Sequence, residues 1–177
     1  MYSFRRKLLP LVGGMVFVIL LTACPKKVPN IVRKVVPGAS GESKLAVRFH
    51  VSPTANKKHP VAVDLVFVSD KKLLEELKKM TAREWFESRK QVQLDYPKEI
   101  NLLAGSWEWS PGQFVEPQCL PVKLEITGGL VFARYFNDGP HRAVINPRKD
   151  VLITLGDDSL SVQSAKTAAK PCPQLKK

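Results

Sequence analysis

Histidine and cysteine are scarce in this chain, with three of each among 177 residues. His50, His59 and His141 show no His-x-x-x-His or Glu-x-x-His spacing, and Cys119 and Cys172 lie too far apart to make a zinc pair. No metal site is therefore expected, and each histidine reads as structural or solvated. A phosphate-binding glycine loop and a dinucleotide fingerprint are also missing. Gly38-Ala39-Ser40-Gly41 does not match the Gly-x-Ser-x-Gly nucleophile elbow. Without a triad, a metal set or a carboxylate pair, no catalytic residue and no cofactor is expected. No internal repeat is visible, and the length allows one ordinary domain plus appendages.

Long apolar runs are missing apart from one at the start. Arg5, Arg6 and Lys7 precede an apolar run over residues 8–21, about 14 residues, which is short of the roughly 20 that a membrane-crossing helix needs. A basic start, an apolar middle and small residues at the end make residues 1–23 a cleaved secretory signal. Leu21-Thr22-Ala23-Cys24 resembles the lipobox of bacterial lipoproteins, which implies acylation of Cys24 as the new N-terminus. Pro25 and Lys26 follow it, and by the same resemblance the missing aspartate implies the outer membrane, with the domain facing the periplasm.

Acidic residues are few, giving a formal net charge of +12. The excess lies in the appendages. Lys26, Lys27, Arg33, Lys34 and Lys44 face only Glu42 over residues 24–44, and Lys166, Lys170, Lys176 and Lys177 face no acid over residues 164–177. Residues 45–163 hold 16 basic and 15 acidic side chains, so no nucleic-acid-binding face is expected. Residues 24–44, with Pro25, Pro29, Pro37 and a Gly-Ala-Ser-Gly stretch, read as a tether, and residues 164–177 as a flexible basic tail. A periplasmic address permits Cys119 and Cys172 to pair, against the alternative of two free thiols. That bond would close a loop of about 50 residues, worth on the order of 4 kcal/mol.

The chain is 44% hydrophobic, enough for a packed core over residues 45–163. Leu45, Val47, Phe49 and Val51 alternate as one face of a strand, and Val61 to Val68 reads as a more buried one. Leu73, Leu74, Leu77 and Met80 then fall at helical spacing behind an N-cap at Ser69 or Asp70. Thr81 and Glu84 match a capping box for a second short helix bearing Trp85 and Phe86. The helical pair is expected at one end or edge of the sheets. From Val92 the pattern reads as strands again, with turns at Asp95-Tyr96-Pro97 and Ser110-Pro111-Gly112. Gly128-Gly129 is expected to turn a hairpin between the runs 120–127 and 130–136. Further strands are expected over 143–145, 151–155 and 159–162. The fold class is mainly β, a two-sheet β-sandwich with a short helical insertion. Trp107 and Trp109 share one strand face, either as a binding platform or as core, with core favoured.

The lipobox, the loop with Asn56 ending at Pro60, the apolar strand 61–68, the helical insertion with Trp85-Phe86, Ser110-Pro111-Gly112 and the late strand 131–136 before His141-Arg142 together resemble a known family. It is the outer-membrane lipoprotein of type VI secretion systems, the TssJ family. The late strand is divergent: Arg134-Tyr135 stands where the family runs tyrosine-arginine, and His141 where it has tryptophan. The resemblance implies a transthyretin-like sandwich that is not an enzyme. It implies binding to the periplasmic domain of an inner-membrane subunit, TssM-like, through the loop between the first two strands. That loop is residues 52–60, with Asn56 as the matched residue and Lys57, Lys58 and His59 placed by position. A pilotin-like or small-ligand-binding periplasmic lipoprotein is the alternative.

Overall fold

The computed structural model describes residues 42–97, 102–165 and Cys172. Among the described residues eight strands form two sheets of four. One has the order β4 (Gln118–Lys123), β1 (Glu42–Val51), β7 (Val151–Leu155), β8 (Leu160–Ser164), and the other the order β3 (Leu103–Trp109), β2 (Val61–Val68), β5 (Gly128–Arg134), β6 (Arg142–Ile145). All pairs are antiparallel except β1 with β7, which run parallel from Val47↔Val151 to Val51↔Leu155. β1 begins in what reads by composition as tether, because Glu42 to Lys44 find ladder partners in Lys123, Val122 and Pro121.

The alternation in β1 puts Leu45, Val47, Phe49 and Val51 against Val61, Val63, Leu65 and Phe67 of β2 between the sheets. β2 is buried on its other face as well. Val66 and Val68, with Leu130 and Phe132 of β5, pack against Leu73 and Leu77 of α2 (Lys71–Leu77) and Trp85 of α3 (Ala82–Asp95). A strand covered on both faces loses the polar alternation of a half-exposed one, which is why β2 reads as a continuous apolar run. The helices therefore form a third layer on the outer face of the second sheet, not a pair at an end or edge. Trp85 is fully buried, and stacking on Phe132 at 5.0 Å and 10° draws it to a sheet face.

Among the described residues Asp64 is the one fully buried carboxylate of this layer. Its carboxylate is fully buried and accepts from Trp85 Nε1 at 2.9 Å, Arg89 at 2.7 Å and Ser106 Oγ at 2.7 Å. Burying a bare carboxylate costs several kcal/mol, so these three donors tie α3, β2 and β3 together as one unit.

Asp70 caps α2 by accepting from the Lys72 and Leu73 amides at 2.7 and 2.9 Å. Thr81 and Glu84 form the expected capping box, and the Thr81 amide and hydroxyl hold the Glu84 carboxyl below its ordinary range. Two other expectations fail. α3 continues to Asp95 and does not give way to a strand at Val92, with Tyr96 N still bonded to Val92 O at 3.0 Å. Gln91-Val92-Gln93-Leu94 alternates like a strand only because Leu94 points outward, 73% exposed. Nor does Gly128-Gly129 turn a hairpin. Both glycines lie in β5, opposite Val68 and Phe67, while β4 pairs with β1 in the other sheet. A Cβ on Gly128 would stand 2.6 Å from Leu74 and one on Gly129 2.9 Å from Ile145, so close packing accounts for both glycines.

The pairings give the sandwich two distinct ends. Val51↔Leu155, Val61↔Trp109 and Ala62↔Arg134 gather the β1–β2, β3–β4, β5–β6 and β7–β8 connections at one end. Glu42↔Lys123, Val68↔Gly128 and Val151↔Ser164 place the start of β1 and the 124–127 loop at the other.

Candidate functional site

Residues 52–60 leave β1 with Ser52 N still bonded to Leu155 O at 2.9 Å. The chain then makes a single left-handed turn, α1 (Ala55–Lys58), with φ of 50° at Asn56, 54° at Lys57 and 67° at Lys58. Asparagine visits this region readily; the two lysines do so at a cost of roughly 1–2 kcal/mol each. Such a conformation persists only where its surroundings hold it, and Asn56 supplies the hold. It is 3% exposed. Its Nδ2 donates to Pro60 O at 2.9 Å, its Oδ1 accepts from Phe136 N at 2.8 Å, and its backbone N donates to Asp157 O at 2.9 Å.

Asp157, in the β7–β8 turn, anchors the loop's other limb. Its Oδ1 accepts from the Thr54 hydroxyl and, at 2.9 Å, from Ser52 Oγ. These two bonds, Thr54 first, hold the Asp157 carboxyl below the usual range. Gly112 N donates to Ser52 O at 3.1 Å with the glycine at φ 71°, so the Ser110-Pro111-Gly112 segment buttresses the loop from β3. Tyr135 closes the arrangement, donating to Ser159 O at 2.9 Å and Gly156 O at 3.2 Å. Burial, then the Asp157 and Asp158 charges, push its phenol well above the ordinary value.

Lys57, Lys58 and His59 are exposed at the tip of this turn. With Thr54, Asp157 and Asp158, the two lysines line an open groove of about 380 Å³. His59 bonds Lys57 O through Nδ1 at 3.0 Å and meets Phe136 edge-on, ring centroids 4.7 Å apart. Phe136 is 62% exposed. The end thus presents two exposed cations beside an apolar ring, on a turn whose backbone is bonded at Asn56 N, Asn56 O, Lys57 O and Pro60 O. A backbone already held in one conformation leaves less ordering to be lost if a partner touches this end.

Of the residues singled out from sequence, Lys57, Lys58 and His59 stand together on this surface, whereas Asn56 lies beneath it as the residue that shapes the turn. Phe136, just after β5, and Asp157, in the β7–β8 turn, lie far along the chain and carried no local sequence signal. Cys119 and Cys172 are bonded, Sγ–Sγ 2.11 Å and Cα–Cα 5.7 Å, so the tail is fastened to edge strand β4. Cys24 lies outside the described residues. Trp107 and Trp109 pack on Phe49 at 5.2 and 5.3 Å and stack on each other at 6.3 Å, filling the edge of the inter-sheet core. Among the described residues no group of His, Cys, Asp and Glu could hold a metal ion.

The sequence matches no protein-family model and no curated protein. Solved structures do match the fold. The Serratia marcescens protein Lip, described as a membrane bound component of the type VI secretion system, aligns over 70% of this chain and 98% of its own, at 16% identity and a TM-score of 0.54. The type VI secretion lipoprotein TssJ1 from Pseudomonas aeruginosa aligns over 74% and 98%, at 14% identity and a TM-score of 0.50. The architecture is therefore the mostly β, two-sheet sandwich that type VI secretion lipoproteins of the TssJ kind share, in a strongly diverged sequence.

Proposed function

We propose that this chain is an outer-membrane-anchored lipoprotein facing the periplasm, a divergent TssJ-type structural subunit of a type VI secretion membrane complex. Its role is to bind the periplasmic domain of an inner-membrane subunit, TssM-like, and it works as a scaffold and not as an enzyme. The observation that carries this reading is the held turn at residues 56–58, which sets Lys57, Lys58 and His59 out beside Phe136. It does so at the end of the sandwich remote from where the tether joins β1. An anchor at one end and a fixed recognition surface at the other suit a protein that bridges two layers of an envelope. The lipobox at Cys24 and the shared fold support it.

The two lysines steer an acidic partner surface toward the turn and act mainly on association rate, while the Phe136 and His59 rings supply buried contact. Affinity capture of the full-length lipoprotein from solubilised envelopes tests this beside a Lys57→Glu/Lys58→Glu variant. The wild type recovers a large inner-membrane protein, and the variant recovers at least about tenfold less at low salt. Recovery of a secretin, or of no membrane partner, points instead to a pilotin-like or ligand-binding lipoprotein, and equal recovery of the inner-membrane protein by both forms puts its binding surface outside the Lys57–Lys58 turn.

A further inference from the structure

The groove lined by Thr54, Lys57, Lys58, Asp157 and Asp158 carries two charges of each sign. The cations belong to the β1–β2 loop and the carboxylates to the turn between β7 and β8. All four charged residues are exposed. Yet among the described residues no ion pair joins either lysine to either aspartate.

Each wall is held by its backbone. On the basic wall, Lys57 and Lys58 sit in left-handed conformation at φ 54° and 67°, and Lys57 O accepts from His59 Nδ1 at 3.0 Å. On the acidic wall, Asp157 O accepts from Asn56 N at 2.9 Å and Asp158 O from Asn137 Nδ2 at 3.0 Å. Gly156 N donates to Ser159 O at 2.9 Å across the same turn. The Asp157 carboxylate also accepts from Ser52 and Thr54, bonds that favour its charged form. The Asp158 carboxylate makes no hydrogen bond or ion pair among the described residues, so its charge is left for whatever enters the groove.

The two signs cancel in sum, so the groove offers a pattern of charge and no bulk attraction. Exposed charges act over about 8–10 Å at ordinary ionic strength, and both walls of one groove therefore act on its occupant. An occupant bearing acid alone is drawn to the lysines and repelled by the aspartates. A segment with an acidic side chain for Lys57 and Lys58 and a basic one for Asp158 matches both walls, and in the reverse direction it meets like charges. Phe136, 62% exposed, stands beside the same turn against His59. It gives a protein segment apolar contact beyond the charges, which a small zwitterion could not use together with them.

We propose that this groove reads a charge pair on one segment of a partner protein: an acidic side chain seated by Lys57 and Lys58, and a basic one seated by Asp158. The proposal rests on the scaffold reading above and specifies what that partner presents. The lysines attract its acid, and Asp158 fixes the direction in which the segment lies.

The test is affinity capture of the full-length lipoprotein from solubilised envelopes at low salt, measuring the inner-membrane protein recovered. Asp158→Lys recovers at least about fivefold less than wild type, and Asp158→Asn falls between the two. Glu125→Lys makes the same change of charge in the loop after β4, at the other end, and recovers as much as wild type. If Asp158→Lys melts at a lower temperature than wild type, Asp158→Asn, which keeps the side chain's shape, decides by the same sign. If the Asp158 variants recover as much as wild type or more, while Lys57→Glu/Lys58→Glu recovers less, the partner offers acid alone. The charge-pair inference is then overturned and the scaffold reading stands. A loss with Glu125→Lys equal to that with Asp158→Lys assigns the effect to net charge and overturns the inference as well. If the wild type recovers no inner-membrane protein, the scaffold reading fails and this inference with it.

Discussion

The two ends of the sandwich are built by opposite means. At the recognition end, three consecutive residues are forced into left-handed backbone and a buried asparagine holds them from below. At the tether end the backbone is unstrained and a single exposed arginine gathers the carbonyls of one loop. An end that presents chosen side chains in one geometry, as proposed for this one, requires a conformation the chain would not otherwise keep. The tether end holds no such conformation, and one long side chain on the surface pairs the loop's carbonyls.

The largest expected effect comes from breaking the recognition end at its hold. Asn56→Ala deprives Phe136 N and Pro60 O of their part-buried partner and leaves alanine in left-handed backbone. Those losses together cost about 3 kcal/mol in urea denaturation, with partner capture lost as well. A variant with wild-type stability would show that the turn is held by something other than Asn56.

Arg148→Ala is the matching change at the tether end. The carbonyls it releases can turn to water, so the expected cost is only about 1 kcal/mol, with partner capture unaffected. A loss as large as that of Asn56→Ala would erase the contrast between the ends.

The smallest effects are pH dependences confined to the recognition end. The Asp157 carboxyl is lowered in the folded chain. The stability it lends is therefore full above its unfolded value of about 3.9 and is lost as pH falls through the lower folded value. Replacing Thr54 by valine and Ser52 by alanine should return the Asp157 titration, followed by NMR, to the ordinary range; an unmoved titration would remove those hydroxyls as its cause. Tyr135 has the opposite sign, since burial raises its phenol. Stability is full below about pH 10 and falls as pH rises beyond it, and Tyr135→Phe removes that alkaline loss.

How far these features could be read in advance depended on the range of the interactions behind them. β2 lies at Val61–Val68 as read, because a strand buried on both faces is a continuous β-branched run. The cap at Thr81 was equally plain and that of α2 was narrowed to Ser69 or Asp70, since an N-cap acts within three residues of itself. Gly128-Gly129 misled because a glycine pair that lets Leu74 and Ile145 approach is spelled the same way as a turn. The end of α3 misled because an outward Leu94 imitates alternation. Asn56 drew attention by family likeness, yet its function as a buried hold depends on Phe136 and Asp157, 80 and 101 positions away in the numbering.

The sequence alone determined the mainly β class and the apolar faces of β1 and β2, and it carries the expectation of a secretory start and a lipobox at Cys24. All of these are local or periodic patterns. Only the tertiary structure decided that β4 and β5 belong to different sheets, that the helices cover a sheet face, and that Lys57, Lys58, His59 and Phe136 share one end while Leu124 and Arg148 share the other. Those facts are set by pairings between strands far apart in the chain. A strand's own pattern fixes which of its faces is buried, but the partner it meets there is fixed only by how the whole core closes.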